Sequence, residues 1–353
     1  MHLHINRPGG ALRRRVEALI GYKCSREKAM KVGELGERAL VTLMAELIEC
    51  NAVLCPGADD CSAVAYDDQY LVVTTDMLHK KTHFPREMTG YQVGWMTTAA
   101  TLSDIAAMGA SPVGVTMAVG IPRDTDVTFA LDIMRGCNAC CTQNGTTLLG
   151  GDTDEHDELT LVGTAIGTVH QDKMLTRAGA RVGDVVCVTG ELGLAAAGVK
   201  MLLESRVADH NLRGRALKKL FEPQPRVAYG QALADSGVVT ALIDTSDGLS
   251  LSLYELSKAS NCGFYLRAAD LPISEEAKSV SYDRWDELTL SIYRGGDYEL
   301  LFTARHGLLA AIPIPYTVIG KVTESGMQLE VDGVVQELKA EGYEHLTASG
   351  PRV

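Results

Sequence analysis

The chain has 353 residues, of which 46% are hydrophobic and 22% are charged, and its formal net charge is −12. This length predicts two domains, and the composition is typical of a globular protein whose core needs neither disulfides nor structural metal. The acidic balance argues against a nucleic-acid partner, because the basic residues cluster only briefly, at 13–15 and 80–81. No run of about 18 apolar residues occurs, which argues against a membrane partner.

The cysteines number nine and are scattered along the chain. Residues 1–15 lack the apolar segment of a secretory signal, so we expect a cytoplasmic protein with free thiols. Cys137, Cys140 and Cys141 form a CxxCC cluster. No second Cys/His pair at metal-ligand spacing accompanies it, which favours packing inside a helix over a metal site.

The predicted elements mix helices and strands without strict βαβ alternation, which favours an α+β fold. Residues 1–30 differ in composition from the rest and are predicted to be an N-terminal extension, disordered or not native. We expect a domain boundary close to the loop over 177–184. The elements expected in chain order are a helical pattern over 31–48, strands over 60–66 and 69–75, a helix over 93–108, a strand over 113–119, a helix over 124–144, strands over 146–149 and 159–169, a strand over 185–188, helices over 192–203 and 227–235, a strand over 239–243, a helix to 259, and paired strands over 317–338.

Aspartates recur beside Gly, Ser or Thr at the predicted strand ends, and one lies on a helix. A single aspartate of this kind is more often a helix cap, a turn former or a solvated charge. Several together repel one another unless cations intervene, and Mg²⁺ prefers oxygen ligands supplemented by substrate phosphates. The pattern therefore predicts a metal and phosphate site, although the chain lacks a GxxxxGK[ST] loop and the protein-kinase motifs. These aspartates are Asp59 with Asp60, Asp76, Asp104, Asp152, and Asp244 with Asp247.

Seven short motifs occur in one order over residues 31–346, and together they resemble the thiamine-monophosphate kinase family. That family belongs to a superfamily with aminoimidazole-ribotide synthetase and selenophosphate synthetase. Each motif alone is weak, but the ordered set is specific. The motifs are GADDCSAV at 57–64, TTDML at 74–78 with HF at 83–84, LSDIAAMGA at 102–110, GGDT at 150–153, RAGA at 177–180, IDTSDGL at 243–249 and GGDYEL at 295–300.

The resemblance implies an aminoimidazole-ribotide-synthetase-like architecture of two α+β domains. Residues 31–172 would form the N-terminal domain, which binds ATP and Mg²⁺ and pairs with its copy in a homodimer. Residues 173–353 would form the C-terminal domain that completes the active-site cleft. The implied activity is transfer of the γ-phosphate of ATP to thiamine monophosphate, in line and assisted by several Mg²⁺ ions.

The resemblance also implies a role for individual residues. Asp76, Asp104 and Asp152 would be catalytic, and His83, Tyr343 and the position of Gly296 would meet the thiamine substrate. ATP would contact Gly151, Asp152, Arg177 and Ser246. The Mg²⁺ ligands would be Asp59, Thr74, Thr75, Asp76, Asp104, Asp152, Asp244 and Asp247.

Three departures from the family pattern affect the acceptor side. Gly296 stands where the family has a Glu that contacts the substrate base, Thr101 where it often has Asn, and Lys80-Lys81 where it often has Glu-Gly. Either Asp297 or Glu299 shifts to replace the missing carboxylate, or water fills the gap. Two alternatives remain: a superfamily enzyme with a different acceptor, and a catalytically silent nucleotide-binding regulator.

Overall fold

The computed structural model describes residues 31–204 and 209–346, which belong to two compact units. The smaller unit contains residues 31–51 and 344–346, and the larger contains the described residues from 52 to 343. The N-terminal extension predicted over residues 1–30 lies outside the described residues. In the part of the chain that is described, no helix is both long and apolar enough to cross a membrane.

The smaller unit divides the helical pattern predicted over 31–48 into two helices. These are α1 (Val32–Leu35) and α2 (Glu37–Ala45), and Gly36 between them has a φ of 84°. Glycine adopts this conformation readily because it has no Cβ. The backbone N–H of His345 donates to Glu37 Oε2 at 2.6 Å, which joins residues 344–346 to the start of α2.

The first half of the larger unit is a five-stranded sheet in the order β1-β2-β5-β3-β4. Only β3 and β4 run parallel, and the other neighbouring pairs are antiparallel. Two helices, α3 and α4, pack against each other, and α3 also packs on the sheet. The elements are β1 (Ser62–Tyr66), β2 (Gln69–His79), α3 (Gly90–Ala107), β3 (Ser111–Ile121), α4 (Val127–Gln143), β4 (Leu148–Glu155) and β5 (Thr160–His170).

Two of the predicted strand ends are wrong. Strand β2 does not end before Asp76 but continues to His79, because it pairs with β5 along its whole length. Strand β4 does not break at residues 150–153 but runs through them, because it pairs with β3. In both cases pairing with a neighbouring strand supplies hydrogen bonds that local sequence patterns do not reveal.

The second half of the larger unit is a seven-stranded sheet in the order β12-β11-β8-β10-β6-β9-β7. Its last two strands form the hairpin predicted at Asp332-Gly333, where both turn residues have positive φ. The elements are β6 (Val185–Val188), α5 (Leu194–Leu203), α6 (His210–Phe221), α7 (Val227–Ser236), β7 (Val239–Asp244), α8 (Leu249–Ser260), β8 (Gly263–Arg267), α9 (Glu275–Val280), α10 (Arg284–Ile292), β9 (Leu300–Ala304), β10 (Thr317–Thr323), β11 (Met327–Val331) and β12 (Val334–Glu337).

Helix α3 connects the two halves of the larger unit. It packs on β2 and β5 of the first sheet and on β7 and α7 of the second half, so nearly all of its residues are buried. A Cβ at Gly94 would lie 1.9 Å from the Ile133 carbonyl oxygen, which shows how closely α4 approaches. Residues near the C-terminal end of α3 are thereby fixed between the two sheets. The α+β architecture predicted from sequence is confirmed.

The cysteines correct one expectation and confirm another. Among the described residues, Cys50 and Cys55 are disulfide-bonded, contrary to the prediction of free thiols, whereas the other six described cysteines are free. The CxxCC cluster is buried in α4, where Cys137, Cys140 and Cys141 have no exposed surface, as predicted. Burial raises the pKa of the Cys137 thiol to about 11, so this thiol stays protonated and acts as core packing.

Candidate active site

Three carboxylates from distant parts of the chain meet between the two sheets. Asp60 precedes β1, Asp104 lies in the last turn of α3, and Asp244 is the final residue of β7. One oxygen of each lies within 4.8 Å of an oxygen of the other two. We call these three residues the carboxylate cluster. Because α3 packs on both sheets, it brings Asp104 to the strand ends that carry the other two.

Hydroxyl groups orient the carboxylate cluster. Thr74 on β2 is buried, and its hydroxyl is satisfied because it donates to Asp104 Oδ2 at 2.5 Å. Ser103 donates to Asp244 Oδ2 at 2.6 Å, and Ser246 donates to Asp244 Oδ1 at 2.7 Å. These bonds hold the carboxylates of Asp104 and Asp244 in one orientation. Thr74 and Ser246, both predicted from sequence as site residues, therefore lie in contact with the cluster.

Arg177 closes the other side of the cluster. Its Nη2 donates to Asp60 Oδ1 at 2.6 Å, and its backbone N–H donates to Asp59 Oδ2 at 3.0 Å. Side-chain exposure is 20% for Arg177 and 3% for Asp60, so the pair is largely desolvated. Arg177 thus binds both members of the Asp59-Asp60 pair. Its guanidinium forms an ion pair with Asp60 of the carboxylate cluster.

Four aspartates of the site, Asp59, Asp76, Asp104 and Asp244, have raised pKa values. Burial, and then the charge of Asp60, raises the pKa of Asp59 to about 7. Burial, followed by the charges of Asp244 and Asp60, raises the pKa of Asp76 to about 7 as well. The pKa of Asp104 is raised by burial and by Asp76, and that of Asp244 by burial and by Asp60. Such crowding is unfavourable in the absence of a cation.

The donor set fits Mg²⁺. Carboxylate oxygens are ligands that Mg²⁺ prefers, and one oxygen from each of the three carboxylates lies within 4.8 Å of the other two. Among the described residues, Asp60 Oδ2 and Asp76 Oδ2 are buried without a hydrogen-bond partner. Buried oxygens of this kind are rare unless an ion or an ordered water satisfies them. Asp59, Asp60, Asp76, Asp104 and Asp244 are therefore the residues that could hold metal here.

The structure does not bring all the predicted ligands together. Successive side chains of a strand point to opposite faces, so Thr75 faces away from Asp76, and its hydroxyl lies 2.9 Å from that of Thr164 on the exposed face. Met77, two residues after Thr75, shares the face of Thr75. Strand pairing aligns Met77 with Val162, Ala118 and Asp152, so Asp152 lies on this same face, three strands from β2. Both assignments remain predictions that no contact in the described part of this chain supports.

Gly151 also has a structural reason to be glycine. A Cβ there would lie 1.8 Å from the Met117 carbonyl oxygen on β3. Close pairing of β3 and β4 therefore requires glycine at this position, whether or not a phosphate approaches it. The ATP-binding role of Gly151 stays a prediction.

The predicted acceptor residues His83 and Tyr343 are neighbours, although 260 positions separate them in sequence. Their ring centroids are 6.0 Å apart with the planes tilted by 53°. The backbone N–H of Tyr343 donates to the Asp247 carbonyl oxygen at 3.0 Å. The aromatic pair thus lies beside Asp247, which is three residues beyond Asp244 of the carboxylate cluster.

Both carboxylates that could replace the one missing at Gly296 are already held by other groups. Asp297 is buried and accepts the backbone N–H groups of Gly193 and Ala195, at 2.6 and 2.9 Å, at the start of α5. Glu299 is bound by Lys219 at 2.6 Å and by Arg226 at 2.6 and 2.7 Å. Both carboxylates are committed to structural contacts. Gly296 itself has a φ of 97°, which strains any residue with a Cβ.

Asp60 is the site residue that the sequence-based ligand set omitted. Asp59 and Asp60 are adjacent in the sequence, but the family resemblance implies a metal-ligand role for Asp59 alone. Asp60 supplies the oxygen that meets Asp104 and Asp244. Its tandem position after Asp59 was the available signal, and only the folded structure shows which of the two points into the cluster.

Comparison with known proteins gives consistent results. The N-terminal domain model of AIR synthase related proteins matches residues 58–169, and the corresponding C-terminal domain model matches residues 181–335. The predicted boundary between residues 172 and 173 falls between these stretches and stays a prediction. The thiamine-monophosphate kinase of Methanospirillum hungatei is 40% identical over 296 residues, which are 84% of this chain and 95% of that protein.

Solved structures agree. AaThiL complexed with AMPPCP and TMP aligns with a TM-score of 0.81 and 26% identity, covering 90% of this chain and 99% of that one. Thiamine-monophosphate kinase from Stenotrophomonas maltophilia aligns with a TM-score of 0.69 and 31% identity, covering 82% of this chain and 95% of that one. The carboxylate site, the two matched domains and the relatives that share almost their whole length lead to one conclusion. This chain belongs to the thiamine-monophosphate kinase family.

Proposed function

We propose that this protein transfers the γ-phosphate of ATP to the phosphate of thiamine monophosphate, giving thiamine diphosphate and ADP. The observation that carries the proposal is the carboxylate cluster of Asp60, Asp104 and Asp244, with the His83–Tyr343 ring pair beside Asp247. The first is suited to metal-bound phosphates, and the second to a flat, cationic ring next to them. The relatives' activity supports the choice of acceptor.

Mg²⁺ is the proposed cofactor, in several ions, since the buried carboxylates exceed what one ion requires. Asp59, Asp60, Asp76, Asp104 and Asp244 would hold these ions, with Asp247 and Asp152 as further candidates. When bound, they would neutralise phosphate charge and bridge phosphate oxygens. The hydroxyls of Thr74 and Ser246 keep the carboxylates oriented, which lowers the cost of organising the site.

The proposed reaction needs no strong general base. A phosphate monoester is already ionised near neutral pH, so its terminal oxygen can attack the γ-phosphorus directly. In line, the new oxygen–phosphorus bond forms as the bond from the γ-phosphorus to the β,γ-bridging oxygen breaks, and ADP leaves with the electron pair. The protein's task is to position two polyanions, which Arg177 and the ring pair would assist.

We propose a homodimer formed through the exposed face of the five-stranded sheet. Val64, Tyr66 and Met77 share this face by strand register and are 49%, 63% and 60% exposed. Exposed apolar side chains that share one sheet face favour burial of that face against another surface. Because Thr75 and Asp152 lie on the same face, a partner copy there would also surround these two predicted ligands. The cytoplasm is the proposed compartment, where ATP is available as co-substrate.

The test incubates the purified protein with ATP, Mg²⁺ and thiamine monophosphate and measures thiamine diphosphate and ADP. The proposal expects equal amounts of both products and no turnover in EDTA. Tight Mg-ATP binding with no product from thiamine monophosphate would refute the acceptor assignment. If ADP then formed with another acceptor, the superfamily alternative would hold, and if no acceptor were phosphorylated, the silent nucleotide-binding regulator would be favoured.

A further inference from the structure

One hydroxyl at the C-terminal end of α8 holds the loop that contains Arg177. Ser260, the last residue of α8, accepts the backbone N–H groups of Gly179 and Ala180, each at 3.1 Å. The same hydroxyl donates its proton to the Arg177 carbonyl oxygen at 3.0 Å. Among the described residues, these three backbone groups have no other hydrogen-bond partner. A serine hydroxyl has one proton and two lone pairs, so this loop uses all of its bonding capacity.

The loop is also packed on β7, independently of Ser260. The backbone N–H of Leu242 donates to the Thr176 carbonyl oxygen at 2.9 Å. Gly179 has a φ of 126°, and a Cβ there would lie 2.2 Å from the Thr240 carbonyl oxygen. Because these contacts do not involve Ser260, we expect the chain to fold and the loop to stay on β7 when the hydroxyl is removed. What the hydroxyl sets is the orientation of the three consecutive peptide groups that follow the Arg177 Cα.

Arg177 extends its guanidinium from this loop to the carboxylate cluster. Its Nη2 donates to Asp60 Oδ1 at 2.6 Å, and its Nη1 lies 3.7 Å from Glu255 Oε2. Glu255 also belongs to α8, so one helix contacts both the backbone and the guanidinium of Arg177. The guanidinium donates in a rigid planar fork, so a shift of the backbone that carries it changes which oxygens it can reach.

We propose that Ser260 is a positioning residue that holds Arg177 in place for contact with ATP. The inference rests on the proposed function, in which Arg177 helps to position the polyanions. It concerns ATP and not the acceptor. Small displacements of a positioning group lower affinity and rate because the bound ligand no longer meets its partners at hydrogen-bond distance.

The first test is a calorimetric titration of three variants with Mg²⁺ and a non-hydrolysable ATP analogue. Ser260→Ala removes the hydroxyl, and Ser260→Thr keeps it. Ser257→Ala is the matched control, because Ser257 lies one turn earlier on α8 and its hydroxyl donates to the Cys262 carbonyl oxygen at 2.6 Å, not to the loop. We expect Ser260→Ala to raise the Kd about fivefold, which corresponds to about 1 kcal/mol. The other two variants should stay within about twofold of wild type.

The second test asks whether Ser260 acts through Arg177. In an Arg177→Ala background, Ser260→Ala should change the Kd of the analogue by less than about twofold, because two residues that serve one interaction are not additive. A rise of the same size as in the wild-type background would show a general structural effect and overturn the inference. An unchanged Kd in Ser260→Ala, or an equal rise in Ser257→Ala or Ser260→Thr, would also overturn it.

Turnover separates this inference from the proposed function. Ser260→Ala should raise KM for ATP about fivefold and leave kcat and KM for thiamine monophosphate unchanged. If the wild-type protein binds the analogue but forms no thiamine diphosphate, while Ser260→Ala still weakens binding, the proposed function falls and the positioning role stands. If the wild-type protein forms thiamine diphosphate and Ser260→Ala leaves KM for ATP unchanged, the proposed function stands and the inference is overturned.

Discussion

Asp76→Asn should stabilise the metal-free protein while abolishing phosphoryl transfer. Burial, followed by the charges of Asp244 and Asp60, raises the pKa of Asp76 from 3.8 to about 7. A group that binds its proton more tightly in the folded state makes the free energy of unfolding fall as pH rises between the two pKa values. Asparagine carries no charge at any pH and escapes this loss.

The size of the effect follows from the shift. About three pKa units at 1.36 kcal/mol each set an upper limit of about 4 kcal/mol above pH 7. The new amide must find an acceptor, and failure to do so costs about 1–3 kcal/mol, so we expect a net gain of about 2 kcal/mol. For a chain of 353 residues that corresponds to about 3 °C in melting temperature.

The assay is urea unfolding of wild type and Asp76→Asn in EDTA at pH 8 and pH 5, repeated with Mg²⁺ at pH 8. The stability gap should narrow at pH 5, because wild-type Asp76 is then mostly protonated. Added Mg²⁺ should stabilise wild type more than the variant, since the variant has lost a ligand charge. A variant that is less stable than wild type at pH 8 in EDTA, or a gap independent of pH, would refute the electrostatic reasoning.

Three further predictions concern single residues. Asp104→Asn should nearly abolish ATP turnover at saturating Mg²⁺ with the circular dichroism spectrum unchanged, because it removes charge from the carboxylate cluster; near wild-type kcat would contradict the multi-metal site. Asp297→Ala should lower the free energy of unfolding by about 1–3 kcal/mol, because two backbone N–H groups at the start of α5 lose their acceptor. The KM for thiamine monophosphate should stay unchanged. A sharp rise in that KM would instead give Asp297 a role in substrate binding. Tyr343→Leu should raise KM for thiamine monophosphate about tenfold, whereas Tyr343→Phe should not, since the ring is the proposed contact; equal effects would exclude stacking.

The backbone conformation of Gly296 determines which control variant is needed to test for the missing carboxylate of the acceptor pocket. A Gly296→Glu variant that loses activity would be uninformative by itself, because a φ of 97° costs any residue with a Cβ roughly 1–2 kcal/mol. Gly296→Ala carries the same strain without the carboxylate and is its control. A lower KM in Gly296→Glu than in Gly296→Ala would show that the native pocket lacks this contact.

The sequence by itself predicted many of the elements, although not α6, α9, α10, β8 or β9, and it predicted the chemistry expected at the site. Hydrophobic periodicity predicted α3, β5, β6 and β7 to within a few residues, because burial on one face or all round leaves a local pattern. Repeated aspartates beside small residues predicted a metal and phosphate site, because few other folds accept so many repelling carboxylates. The order of the seven motifs predicted the family.

Only the tertiary structure decided which of these residues act together. Asp60 rather than Asp59 supplies the oxygen nearest Asp104 and Asp244, and Thr75 turns away from Asp76 because neighbouring residues of a strand face opposite sides. Strands β2 and β4 extend beyond their predicted ends because their partners supply hydrogen bonds. The hydrogen bond from the Ala180 backbone N–H to Ser260 Oγ joins segments separated by 80 positions. Such contacts depend on strand pairing and packing between distant segments, which a local sequence pattern does not encode.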